Sequence, residues 1–73
     1  MDSFIGGGSK TLRGERKSQN LSHEKLAELS GISRQAIGKI EAGERMPTIY
    51  TVHKLSKALG LSLVDFVKKM DAD

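Results

Sequence analysis

Apolar residues recur every three or four positions along most of this chain, which is the spacing of one face of an α-helix. Leu12 anchors a segment from about Lys10 to Ser18, and further apolar stripes run through residues 26–29, 37–40, 49–59 and 63–70. The alternation typical of strands is missing from the pattern. The pattern therefore predicts an all-α fold, a compact bundle of about five short helices.

Polar residues and glycines mark where these helices begin and end. Ser22, Ser33 and Thr48 each precede an apolar stripe, where a side-chain oxygen can accept a free backbone N–H and act as an N-cap. Ser62, followed three residues later by Asp65, has the spacing of a capping box that opens the last helix. Glycine favours the left-handed turn that ends a helix, so Gly31 predicts a sharp turn between two short helices within residues 22–41.

The 73 residues have room for one domain. The run Gly6–Ser9 predicts a flexible stretch, because glycine loses much conformational entropy when it is ordered. We therefore divide the chain into a flexible N-terminal arm (residues 1–8), one folded domain (9–70) and a short C-terminal tail (71–73). A domain of this size leaves no space for a large ligand pocket, so neither a cofactor nor a small-molecule ligand is expected.

Cellular location follows from the apolar runs. None of them approaches the roughly 20 residues that span a bilayer, and the residues after Met1 lack the basic region and apolar core of a secretory signal. The expectation is a cytoplasmic protein without a membrane partner.

Charge and reactive side chains narrow the function. The net charge is +3, the pI is about 9.5, and lysine and arginine are concentrated in the middle of the chain, which suits a polyanionic partner. There is no cysteine, and the two histidines, His23 and His53, stand alone, without a suggested nucleophile–His–carboxylate set. The residues therefore predict neither an enzyme nor a metal site.

Residues 22–41 have the pattern of a DNA-binding helix-turn-helix. A small residue at Ala27 lets the second of the two helices cross closely, and Ile37 and Ile40 hold it on the core. The stretch LSHEKLAELSGISRQAIGKIEAGERMP, residues 21–47, resembles the Cro/repressor-type (xenobiotic-response-element) helix-turn-helix family, and the likeness extends from Leu12 to Phe66. The resemblance implies a lambda-repressor-like bundle of four or five helices that binds operator DNA as a symmetric dimer.

The exposed face of helix 33–41 carries the candidates for reading DNA bases. Arg34 lies at the helix start, and Gln35 and Lys39 are neighbours at i and i+4. Arginine can make a bidentate contact to guanine, and glutamine to adenine. The family places base-reading residues at these same three positions. Gly38 lacks a side chain and would let this helix approach DNA closely.

Candidates for phosphate contacts flank the reading helix. Ser22 and His23 open the preceding helix, whose free N–H groups suit an anion. Arg45, Thr48 and Tyr50 follow the reading helix. For all five residues the alternative is simple helix capping or exposure to solvent.

Arg16 falls at a core-facing position of the first helix, which is unusual for a charged residue. The family resemblance implies a structural ion pair with Glu41, since a bidentate carboxylate can satisfy a buried arginine. The alternative is that Arg16 contacts a DNA phosphate.

The last apolar stripe ends in Val67 and Met70, beyond the positions needed for the core. These two residues are candidates for a homodimer interface, with burial inside the domain as the alternative. A homodimer would read a near-palindromic operator.

The sequence thus predicts sequence-specific double-stranded DNA binding by a small transcriptional regulator, expected to act as a repressor. The alternative is a helix-turn-helix protein-interaction module, an adaptor or anti-repressor, but its exposed helix should carry apolar anchors rather than Arg34, Gln35 and Lys39.

Overall fold

The computed structural model describes residues 2–72 and arranges them as five α-helices without a strand. Among these residues, each helix is too short or too polar to cross a bilayer. The all-α prediction is confirmed. The helices are α1 (Asp2–Ser18), α2 (His23–Ser30), α3 (Arg34–Glu41), α4 (Ile49–Ala58) and α5 (Leu63–Ala72).

The predicted N-caps are present. The Ser22 hydroxyl accepts the backbone N–H of Lys25 at 3.0 Å, and the caps at Ser33, Thr48 and Ser62 repeat this contact with the residue three positions on. Gly31 ends α2 with φ = 76°, the left-handed conformation that glycine adopts without a steric penalty. Local sequence therefore determines where most of the helices begin and end.

One apolar core holds the five helices together. The helices α1 and α5 pack side by side, α3 packs against α1 and α2, and α4 packs against α2 and α5. Every helix contributes at least one buried side chain, which makes the core a shared one. Its buried members are Leu12, Leu26, Ile37, Ile40, Val52, Leu55, Leu59, Phe66 and Met70.

The ends of the chain differ from the sequence prediction. The first helix begins at Asp2 rather than near Lys10, so residues 2–8 of the predicted arm are helical. Extending an existing helix is far easier than nucleating one, which offsets the entropic cost of the glycine run. At the other end α5 continues to Ala72, so the predicted tail is mostly helical too. Met1 and Asp73 lie outside the described residues.

The prediction that Met70 lies in a dimer interface is wrong. Its side chain is only 3% exposed and belongs to the core. The reason is that Met70 lies one turn beyond Phe66, on the same face of α5. Val67 is 37% exposed and Val64 is 61% exposed, so the apolar surface that α5 offers to a partner is formed by these two valines.

Candidate nucleic-acid interface

The two helices of the motif are fixed by the core and by a tight turn. Leu26 and Ile37 are fully buried, and Ala27 packs against the same cluster. Within the turn, the Ser30 hydroxyl accepts the backbone N–H of Ile32 at 3.1 Å. These contacts hold α3 with one face against the core and the opposite face towards solvent.

All three predicted base-reading side chains lie on that solvent face. Arg34, Gln35 and Lys39 are exposed, whereas Ile37 and Ile40 are buried. Arg34 lies near Glu24 of α2, with 3.7 Å between Nε and Oε2, and both side chains are about two-thirds exposed. An exposed ion pair at that distance contributes little, so Arg34 can leave it for a base edge.

Gly38 lies between the reading side chains on α3. A Cβ added there would meet no other atom within 4 Å. The free protein therefore has room for a side chain at this position. Because glycine has none, another molecule can approach the backbone of α3 more closely here.

The predicted phosphate-contacting residues surround α3 on both sides. Ser22 and Thr48 both act as N-caps, and the Thr48 hydroxyl also donates to Thr51 Oγ1 at 3.1 Å. Arg45 is exposed. Tyr50 is 65% exposed, and the ammonium of Lys54 lies 4.9 Å from the centre of its ring.

Arg16 and Glu41 form a bidentate ion pair in the structure. Arg16 Nε lies 2.8 Å from Glu41 Oε2, and its terminal nitrogen lies 3.0 Å from Oε1. The other terminal nitrogen donates to the carbonyl of Leu21 at 2.8 Å. Both side chains are nearly buried, at 11% and 6% exposure, so the role of Arg16 is to tie α1 to the end of α3.

His23 also contacts this carboxylate, which sequence reasoning missed. Its Nε2 lies 3.2 Å from Glu41 Oε1, with 37% of the side chain exposed. His23 opens α2 and Glu41 closes α3, and no local pattern in the sequence pairs these two ends. The exposed part of the His23 ring lies beside the start of α2.

The charge of Glu41 is set by this network. Burial alone raises the pKa of the carboxyl, but the hydrogen bonds from Arg16 and His23, together with their charges, outweigh it and hold the pKa below its ordinary value. The carboxylate therefore remains ionised at neutral pH.

A shallow recess opens between α1, α2 and α3 above the ion pair. Arg13, which sequence analysis left without a role, lines it together with residues of the other two helices. Arg13 precedes Arg16 by three positions, and this helical spacing is the only sequence signal for its location. The lining residues are Arg13, Arg16, His23, Gly38, Glu41 and Ala42.

The exposed side chains on and around α3 include the cations Arg34, Lys39 and Arg45. The part of the chain that the structure describes holds no group of three or more His, Cys, Asp or Glu that could bind a metal ion. The exposed polar groups on and around α3 are mostly hydrogen-bond donors, as phosphate and base edges require.

Comparison with known proteins agrees with the fold and the motif. A helix-turn-helix family model matches residues 12–66, the span of the resemblance found in the sequence. An uncharacterised HTH-type transcriptional regulator of Sinorhizobium fredii is 38% identical over 56 residues, which cover 77% of this chain and 73% of the relative. The HTH-type transcriptional regulator PuuR of Escherichia coli is 46% identical over 57 residues, which cover 78% of this chain but only 31% of PuuR.

A solved structure is similar over nearly its whole length. The restriction-modification controller protein C.AhdI from Aeromonas hydrophila superposes with a TM-score of 0.80 at 32% identity, covering 85% of this chain and 94% of the controller. The match over three-quarters of the chain and the shared fold together show that this chain belongs to the helix-turn-helix family of transcriptional regulators.

Proposed function

We propose that this chain binds a specific double-stranded DNA sequence by placing α3 in the major groove, with Arg34, Gln35 and Lys39 contacting base edges. Membership of the family gives the general function, DNA-binding transcriptional regulation. The observation that supports these residues is the division of α3 into a buried apolar face and an exposed face of long polar side chains. A protein-binding helix would instead expose apolar or aromatic anchors.

The contacts that fix the DNA backbone are assigned to residues on both sides of α3. The start of α2, at Ser22 and His23, offers free N–H groups and the exposed part of an imidazole. Further donors to phosphate are the guanidinium of Arg45 in the loop after α3 and the hydroxyls of Thr48 and Tyr50 at the start of α4. Such contacts position the protein on the duplex without reading its sequence.

We further propose that two copies act together as a repressor on a near-palindromic operator. The support is the exposed pair Val64 and Val67 on α5, an apolar surface that a second copy would cover. Two copies would read half-sites about 34–36 Å apart.

The chain spans 73% of one curated relative but 31% of another, so larger family members carry additional parts.

The substitution Arg34→Ala tests base reading. The preferred site is first selected from random duplex DNA, and the dissociation constant is then measured for that site and for each single-base variant. We expect Arg34→Ala to weaken binding by about 1–3 kcal/mol on the preferred site and to remove discrimination at one base pair, because a lost bidentate contact affects only the base it reads.

Lys57→Ala is the control, since Lys57 is exposed on α4, has no proposed contact to DNA and loses the same charge. An equal loss of affinity on every duplex would show that Arg34 contacts phosphate instead of a base.

A further inference from the structure

We propose that Arg13 of α1 binds a DNA-backbone phosphate beside α3, so that the first helix is part of the interface. This inference rests on the proposed DNA binding and names a contact that neither the motif nor the comparisons assign. It starts from the recess between α1, α2 and α3.

The position of Arg13 is the first argument. It lines the recess together with His23, the first residue of α2, and with Gly38 and Ala42 near the end of α3. Gly38 lies on the face of α3 that is proposed to enter the groove, so a duplex bound there would have its backbone beside this recess. Arg13 would then be within reach of a backbone phosphate.

The charges around the recess favour the binding of an outside anion. Glu41, the carboxylate of the recess, is already bound by Arg16 through both oxygens and by His23 through one. Arg13 is exposed and makes no ion pair or side-chain hydrogen bond with any residue of the described chain. With two arginines and one carboxylate, the recess keeps a net positive charge, and the fork of Arg13 is available for an outside anion.

The chemistry of the group is the third argument. A guanidinium matches two phosphate oxygens at once, which an ammonium cannot do. The long, exposed side chain of Arg13 can also reach across the recess while its guanidinium stays largely hydrated. With α3 in the major groove, a DNA phosphate is the anion that would lie beside this recess.

The same helix supplies a matched control. Lys17 lies one turn beyond Arg13 and is also exposed, but it does not line the recess. Arg13→Ala and Lys17→Ala each remove one positive charge from the exposed face of α1. The two variants differ in position relative to α2 and α3 and in the cation removed, a guanidinium or an ammonium.

The test measures the dissociation constant of wild type, Arg13→Ala and Lys17→Ala on the selected site and on an unrelated duplex, from about 50 to about 200 mM salt. We expect Arg13→Ala to weaken binding to both duplexes on the order of tenfold at the lower salt. The logarithm of the association constant decreases linearly with the logarithm of the salt concentration. The steepness of this decrease should be smaller by about 0.9 in Arg13→Ala, the value for one phosphate contact. Lys17→Ala should leave this slope within error of wild type.

Thermal unfolding checks that both variants are folded, which is expected because both side chains are exposed. Equal slopes for the two variants, or a loss confined to one base pair of the site, would overturn the assignment of Arg13. If wild type shows no salt-dependent binding to any duplex, the proposed DNA binding itself is wrong and this inference falls with it.

Discussion

Glu41 is the residue at which three helices meet. It closes α3, accepts two hydrogen bonds from Arg16 of α1 and lies 3.2 Å from the imidazole of His23 at the start of α2. A buried pair of this kind is expensive to break, since loss of one partner leaves the other charged and unpaired. The network therefore ties the end of α3 to α1 and to the start of α2, in addition to stabilising the domain.

The lowered pKa of Glu41 predicts how stability depends on pH. In the unfolded chain the carboxyl titrates near its ordinary value of 4.5, and in the folded chain it titrates lower. The unfolded state then binds more protons between these two values, so the contribution of Glu41 is complete above about pH 4.5 and is lost as the pH falls through the folded pKa. Urea unfolding of wild type and Glu41→Gln from about pH 2 to about pH 7 measures this contribution.

We expect the gap in unfolding free energy between the two proteins to be largest near neutral pH and to shrink in acid. Glu28→Gln is the control, because Glu28 is 72% exposed and is paired only with Lys25 of the same helix. A gap that stays constant across the whole range would contradict the role given to the Glu41 charge.

At the scale of single elements, α3 is a short helix that depends on its surroundings. It has eight residues, fewer than an isolated helix needs to be stable in water. Its Ser33 cap and the burial of Ile37 and Ile40 compensate for that length. Gly38 works against it, since a mid-helix glycine costs about 1 kcal/mol relative to alanine.

This conflict at Gly38 leads to a prediction with two opposite effects. Gly38→Ala should raise the free energy of unfolding by about 0.5–1 kcal/mol, because the added Cβ meets nothing within 4 Å in the free protein. It should weaken DNA binding, because the added methyl lies on the surface that meets the groove. Gly14→Ala is the matched control, as that position in α1 is equally open.

Chemical denaturation and binding titrations on the same three proteins separate the two effects. Gly14→Ala should gain stability without losing affinity. Wild-type affinity in Gly38→Ala would mean that α3 does not approach DNA closely at this position.

Much of the element structure follows from local sequence, and the departures come from long-range packing. The caps at Ser22 and Ser33 were predictable because each hydroxyl acts on an N–H three residues away. The contact between His23 and Glu41 depends on how helices pack, which no local pattern encodes. The burial of Met70 follows instead from its place one turn beyond Phe66, on the buried face of α5. The exposed polar face of α3 was predictable because its polar residues and the buried Ile37 alternate with helical spacing.

For the whole molecule, the proposed homodimer places α5 at the interface between the two copies. After Met70 is assigned to the core, Val64 and Val67 remain as neighbouring apolar side chains, 61% and 37% exposed. A domain that reads a near-palindromic site needs its two-fold axis close to a surface of this kind.

Val67→Glu tests this surface. A charge buried at an apolar interface is unfavourable, so we expect the dimer dissociation constant to rise by about tenfold or more in sedimentation equilibrium. Leu29→Glu serves for comparison, because Leu29 is 50% exposed on α2, outside α5. A wild-type protein that stays monomeric at the highest concentrations, or equal effects of both changes, would rule out α5 as the interface.

The side chains proposed to read DNA contribute almost nothing to folding. Gln35 and Lys39 make no side-chain hydrogen bond or ion pair with any described residue, and Arg34 has only its loose, exposed neighbour Glu24. Exchanging them should change stability by roughly half a kcal/mol or less. New operator preferences can therefore evolve, or be selected in a library of these three codons, without a compensating change elsewhere in the chain.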